Sequence, residues 1–182
     1  MNAFLEQDSK DFERAGFAKL EAAAKANQTF RPIELNVDKT SGEDLFKKIV
    51  GAADAITQLV DKKHGIDLVE PEKIIIFAKP NILSKINGFA IRGDHATEGL
   101  KQGAYSIGTL GGYKILPCPF LKETSVTITT TNSMVNARKI IAASAGKIDN
   151  LSSDLGAYLE TTGLSEVIKT MIPTAIIHKS TL

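Results

Sequence analysis

One cysteine, no tryptophan, no long apolar run and almost no net charge: these shortages bound what this 182-residue chain can do. Cys118 is alone, so no internal disulfide framework can form, and the expected setting is a reducing compartment. Aromatic residues make up 6% of the chain, so a core must come from aliphatic side chains. The 22 basic and 21 acidic residues leave a formal charge of +1. That balance gives no global electrostatic drive toward nucleic acid or an anionic membrane. No apolar stretch approaches the roughly 20 residues that span a bilayer. The opening MNAFLEQDSKDFERAG is charged and lacks the apolar segment of a secretory signal, so a soluble protein is expected.

Chemical motifs are equally scarce. There is no GxxxxGK[ST] phosphate loop. Gly108, Gly111 and Gly112 miss the dinucleotide-binding spacing. The three histidines, His64, His95 and His178, lie far apart and with one cysteine make no zinc signature. His95 follows Asp94 in a glycine-rich stretch, the arrangement of a base oriented by a carboxylate, although a surface-loop histidine is far commoner. Cys118 sits between two prolines, without the helix N-terminus that lowers a thiol pKa. Ser106 and Ser144 lie outside any GxSxG elbow. Basic residues are scattered and not interleaved with aromatics. No residue is assigned as catalytic, cofactor-binding or metal-ligating, and a non-enzymatic role is expected.

What is present is periodicity. From Thr40 to Gly65, apolar residues fall at Leu45, Phe46, Ile49, Val50, Ala53, Ile56, Leu59 and Val60, the three-and-four spacing of a one-sided helix. Thr40 with Glu43 fits a capping box. Lys62, Lys63 and His64 place cations at the C-terminus, and Gly65 supplies a stop. Glu43 to His64 would extend roughly 33 Å. Ile56 and Leu59 are both expected in the core.

Residues 3–26 read as helical, with a stripe of Phe12, Ala15, Phe17, Leu20 and Ala24 and a division into two helices at Gly16. Residues 27–38 read as extended, through Ile33, Leu35 and Val37. KIIIFA (73–78) is a strand covered on both faces. A short helix capped by Asn81 holds Ile82, Leu83 and Ile86 and stops at Gly88. Residues 88–103 form a polar loop. Two strands flank a tight turn at Gly111-Gly112, ending at Pro117-Cys118-Pro119. VTITTT (126–131) is a strand with a polar face. Residues 132–145 fit helix or strand. Two short helices are expected at 151–159 and 165–171, then a final strand TAIIH (174–178). The whole is α+β in class, read as one domain or one domain with a lobe.

The order of these features resembles the tailed-bacteriophage major capsid proteins, whose fold encapsulin shells share. The likeness rests on Pro71, Ile74 to Phe77 and Leu83, then Gly103, Ile107, Gly108, Gly112, Ile115 and Pro117, then the closing Ile172 to Ile177. It spans roughly residues 40–178. The resemblance implies residues 1–38 as an N-terminal helical and extended segment, and 39–120 as a peripheral-type domain whose long spine helix packs on a β-sheet. It further implies 121–171 as a second, axial-type α/β lobe and 172–182 as a return strand. Family members carry an arm and an extended loop before the spine helix, so about 40 residues there imply a truncated or reduced form.

On this reading the protein is a structural subunit of a viral capsid shell. It would be made in the host cytoplasm and located in the virion, assembling with its own copies in hexamers and pentamers around the genome. Contact with packaged DNA would be weak and non-specific, and no membrane would be involved. Two alternatives remain open: a small α+β enzyme or ligand-binding protein using Gly88–Gly103 as a lid over Asp94 and His95, and an encapsulin-like shell protein.

Overall fold

A computed structural model describes residues 2–59, 69–90, 108–147, 155–169 and 172–180. Its centre is a six-stranded mixed sheet with helices on both faces. The strands are β1 (Ile33–Leu35), β2 (Ile74–Ala78), β3 (Gly108–Leu110), β4 (Tyr113–Pro117), β5 (Val126–Thr130) and β8 (Thr174–His178), in the order β1-β8-β5-β2-β4-β3. β1 runs parallel to β8, and β2 parallel to β4; the other pairings are antiparallel. A separate two-stranded ribbon joins β6 (Met134–Lys147) to β7 (Leu155–Val167).

KIIIFA becomes β2, hydrogen-bonded between β5 and β4. Ile74, Ile76 and Ala78 enter the main core, while Ile75 and Phe77 point to the opposite face and are half-buried. The main core lies under two helices, α2 (Gly42–Thr57) and α3 (Pro80–Ala90). α2 buries Leu45, Ile49, Ala53 and Ile56, spaced four, four and three. That spacing keeps them on one side of a 3.6-residue helix. α3 adds Ile82, Leu83 and Ile86.

The N-cap of α2 is Ser41, whose Oγ accepts from the Asp44 amide at 3.0 Å. The box expected of Thr40 and Glu43 is not formed. The Thr40 hydroxyl instead donates to the Asn36 carbonyl at 2.7 Å, and Glu43 pairs with Lys47 one turn on. The described helix covers 16 residues, about 24 Å. Lys62, Lys63, His64 and Gly65, expected at its end, lie outside the described residues. Asn81 does not cap α3, because Pro80 already occupies the first turn, where its missing N–H costs nothing. The helix also passes through Gly88 rather than stopping there.

The longest helix is α1 (Asn2–Ala26), 25 residues or about 37 Å. It runs through Gly16 without a break, in place of the expected pair of helices. Its inner side carries Gly16, Leu20, Glu21 and Ala24, whereas Ala15 is exposed. Asn27 closes the helix: its side-chain oxygen accepts from the Thr29 and Phe30 amides, and its Nδ2 donates to the Pro173 carbonyl at 2.6 Å. One asparagine therefore turns the chain and ties it to the start of β8. Asn36 repeats the device, accepting from the Asp38 and Lys39 amides and donating to the Ser180 carbonyl.

α1 covers the second face of the sheet. Phe17 meets Phe77 edge-on at 5.0 Å between ring centres and stacks near Phe120 at 6.2 Å. Arg14 lies 5.6 Å from the Phe120 ring, within cation–π range. Below this cluster Glu21 is 3% exposed. Its carboxylate accepts from the amides of Lys122, Glu123 and Thr124 and from the Thr124 hydroxyl, at 2.8 to 3.2 Å. The polar face expected of VTITTT is thus not a wet face. Thr127 and Thr129 are buried on the α1 side and satisfied by Thr124 and Ser133 respectively.

The Gly111-Gly112 turn forms as expected, with φ of 58° and 89°. Both central residues of this hairpin turn are left-handed, which only glycine adopts without strain. Residues 134–145 are strand, and 155–159 and 165–167 belong to β7 where helices were expected, while 151–154, 170 and 171 lie outside the described residues. Thirteen cross-strand pairs join β6 to β7, from Met134–Val167 to Lys147–Leu155. A local 3.6 period loses to an available partner strand.

Ile56→Ala should cost about 2–5 kcal/mol, read from the urea midpoint, because Ile56 is fully buried. Leu59 is only partly buried against the core, so Leu59→Ala should cost clearly less. Glu21→Ala should cost about 2–4 kcal/mol by leaving three amides without an acceptor, and Glu21→Gln less, since one oxygen remains.

Candidate assembly surface

The candidate residues read from the sequence do not converge. Asp94 and His95 lie outside the described residues, as do His64, Ser106 and most of the 88–103 loop, of which Gly88 to Ala90 belong to α3. His178 stands at the end of β8. Its Nδ1 accepts from the Val37 amide at 3.2 Å, and its Nε2 is 3.7 Å from the Asp38 carboxylate. That makes it a tie between β8 and the segment leading to α2. Cys118 is 3% exposed, and burial pushes its thiol pKa up, away from the thiolate that a nucleophile needs. Tyr113 donates its hydroxyl to Asp54 across the β4–α2 junction, and burial followed by this bond raises its pKa to about 12. Among the described residues no group of three His, Cys, Asp or Glu side chains could hold a metal ion. No described helix is long and apolar enough to cross a membrane.

One groove of about 410 Å³ opens between α2 and the edge strand β1, lined by Phe30, Ile33, Ala52 and Ala55 with Arg31 and Lys48. It contains no acid, base or nucleophile placed for catalysis.

The distinctive surface is the one made by α1 and the ribbon. Fourteen residues at about 3.4 Å give β6 a length near 45 Å. A bare two-stranded ribbon is marginal in water and needs something packed on it. α1 supplies this for one face. Asp8 pairs with Arg138, Phe12 lies on Gly163, Gly16 approaches the Asn136 side chain, and Lys19 pairs with Glu166 at 3.0 Å. From Phe12 at Gly163 to Gly16 at Ser165, four helix residues advance with two strand residues, as rises of about 1.5 and 3.4 Å require. Gly163 is needed for the fit, because a Cβ there would fall inside the Phe12 ring's van der Waals surface. The hydroxyl of Ser165, buried in the same seam, has no hydrogen-bond partner.

Among the described side chains at the base of the ribbon, the other face is exposed. Alternation along the strands sets Val135, Ala137 and Lys139 beside Glu166, Leu164 and Thr162, away from Asn136, Arg138 and Gly163, with the Glu166 carboxylate drawn back to Lys19 of α1. Val135 is 45% exposed and Leu164 53%, and Ile168, just past β7, reaches 60%. These are the large hydrophobic side chains with high exposure among the described residues. No local pattern marks them, because a β-branched or leucine position looks the same in sequence whether it faces a core or a surface.

No family profile matches this chain, and no curated protein matches it. The chain is similar in structure to the capsid of the cyanophage P-SCSP1u, with a TM-score of 0.62 at 13% sequence identity. The likeness covers 98% of this chain and 65% of the cyanophage chain, so this chain spans about two thirds of its length. At that identity the similarity establishes the fold alone: α+β and phage-capsid-like, with a mixed sheet and three α-helices among the described residues.

Gly163→Ala should destabilise the protein by about 1–3 kcal/mol through overpacking against Phe12. Adding Phe12→Ala should recover part of that loss, so the double variant should cost less than the sum of the two singles in chemical denaturation.

Proposed function

We propose that this protein is a structural, non-enzymatic subunit of a tailed-phage-type capsid shell. The observation that carries the reading is the fold likeness to a phage capsid chain over 98% of the residues. The physical design supports it. A sheet sandwiched between helices is a rigid body, and α1 extends from it as a strut, clamped to a ribbon that leaves apolar residues in solvent. Such a surface suits a protein that meets copies of itself. The near-zero charge lets many copies pack without strong mutual repulsion.

In this reading copies associate in hexamers and pentamers to form a virion shell, and contact with enclosed DNA is weak and independent of sequence. On this reading α1 and its ribbon, the longest paired elements described, serve as a strut beside α2. β5, hydrogen-bonded between β8 and β2, groups with the main sheet, and the second lobe expected over 121–171 would on this reading begin near β6.

Sedimentation velocity of the purified chain over a wide concentration range, with negative-stain microscopy of the fastest species, tests the proposal. Concentration-dependent assembly into ring-shaped or closed particles is the expected result. A strict monomer at every concentration up to the solubility limit would overturn it.

A further inference from the structure

His178 makes a hydrogen bond that a proton can undo. The parallel ladder of β1 and β8 ends where the Lys179 amide donates to the Leu35 carbonyl at 2.9 Å. The next rung of such a ladder would run from the Val37 amide to the Lys179 carbonyl. That amide goes instead to Nδ1 of the His178 imidazole, at 3.2 Å, and β1 stops at Leu35. An imidazole nitrogen accepts only through a lone pair, so the neutral ring carries its hydrogen on Nε2. Nε2 faces the Asp38 carboxylate at 3.7 Å, beyond hydrogen-bond length but within ion-pair reach. We propose that this arrangement is a pH-sensitive latch: neutral His178 holds the 36–40 turn onto the end of β8, and the imidazolium releases the Val37 amide and pairs with Asp38. The device goes beyond the shell-subunit reading and does not depend on it.

Protonation acts on one atom. Once Nδ1 carries a hydrogen, donor meets donor, and the Val37 amide loses its acceptor. The charged groups around the ring decide where the ring then turns. Asp38, on the turn itself, is mostly exposed and attracts the cation. Lys85, from α3, donates its ammonium to the Val37 carbonyl at 2.6 Å and the Asp38 carbonyl at 2.8 Å, so the turn already holds one positive charge. Glu34 of β1 and Lys179, just past β8, are paired with each other. Of these groups Asp38 alone can receive the imidazolium. The ring therefore trades an amide for a carboxylate when it takes up a proton. The other tethers of the turn run through Asn36 and Lys85, so the release is confined to the Val37 rung. That rung matters because the turn leads straight into Ser41, the N-cap of α2. The latch sets how firmly the start of this helix is moored to the sheet.

Amide hydrogen exchange of the full chain, followed residue by residue by NMR and corrected for intrinsic pH dependence, tests the latch. Between about pH 7.5 and about pH 5, where histidines take up a proton, Val37 should lose about tenfold in protection. The Lys179 amide, bonded to the Leu35 carbonyl, should keep its own. The imidazole nitrogen shifts should show Nδ1 without a proton at the higher pH. His178→Asn, whose side-chain oxygen accepts without titrating, should keep Val37 protected at both pH values, and His178→Ala at neither. Asp38→Asn should move the loss to lower pH, because the imidazolium then has no carboxylate to receive it. The latch is overturned if Val37 protection in the wild type is unchanged on acidification, or falls equally with that of Lys179. A neutral ring protonated at Nδ1, or the same acid-induced loss in His178→Asn, overturns it too.

Discussion

Everything on one side of this protein hangs from the carboxylate of Glu21. A buried anion is costly unless hydrogen bonds replace its water, and here three successive backbone amides and a hydroxyl do so. The arrangement works in both directions. The loop at 122–124, which leads into β5, would otherwise bury amides with no acceptor, and the helix would otherwise have no fixed position along the sheet. Once Glu21 is seated, the rest of α1 is in register: Phe17 arrives on Phe77, Arg14 over Phe120, and Phe12 on Gly163. The direction of the strut is set at its inner end.

The connections on the other side obey similar logic with neutral groups. Asn27 and Asn36 each fold their side chain back onto two amides while reaching across to the carbonyls of Pro173, just before β8, and Ser180, shortly after it. His178 receives the Val37 amide. β8 is therefore held at several points by the segment between α1 and α2, although β1 itself has only three residues. Short edge strands resist unwanted pairing, and Pro32 immediately before β1 removes a donor from that edge. The sheet's edge at β1 is thus closed to strand addition, while the ribbon offers a face.

The parts that were legible in the sequence share one property: a local pattern with a single solution. Leu45, Ile49, Ala53 and Ile56 can line up only on a helix. Ile74 to Ala78 between prolines can only be a strand buried from both sides, and Gly111-Gly112 can only turn tightly. The parts that were not legible depend on partners far along the chain. Leu155 to Val167 satisfies either period, and β6 decides it. Glu21 looks like any surface glutamate of a helix until the loop a hundred residues later supplies its donors. Gly16 resembles a break until the ribbon explains why a small residue is wanted there. The assembly surface was the least legible of all. Catalytic sites advertise themselves by titratable residues at set spacings, whereas an apolar docking face uses the same residues as a core and differs only in what is absent above it.

That difference ties the ribbon to the rest of the fold. A face of Val135, Ala137 and Leu164 could be buried by a second helix from the same chain, but α1 is committed to the opposite face by Asp8, Phe12 and Gly16, and its position there is fixed by Glu21. α2 and α3 are equally committed to the far side of the sheet by the main core. With all three helices spent, no described helix remains to cover the ribbon. Among the described residues, the exposure of Val135 and Leu164 is therefore a consequence of how the interior was satisfied.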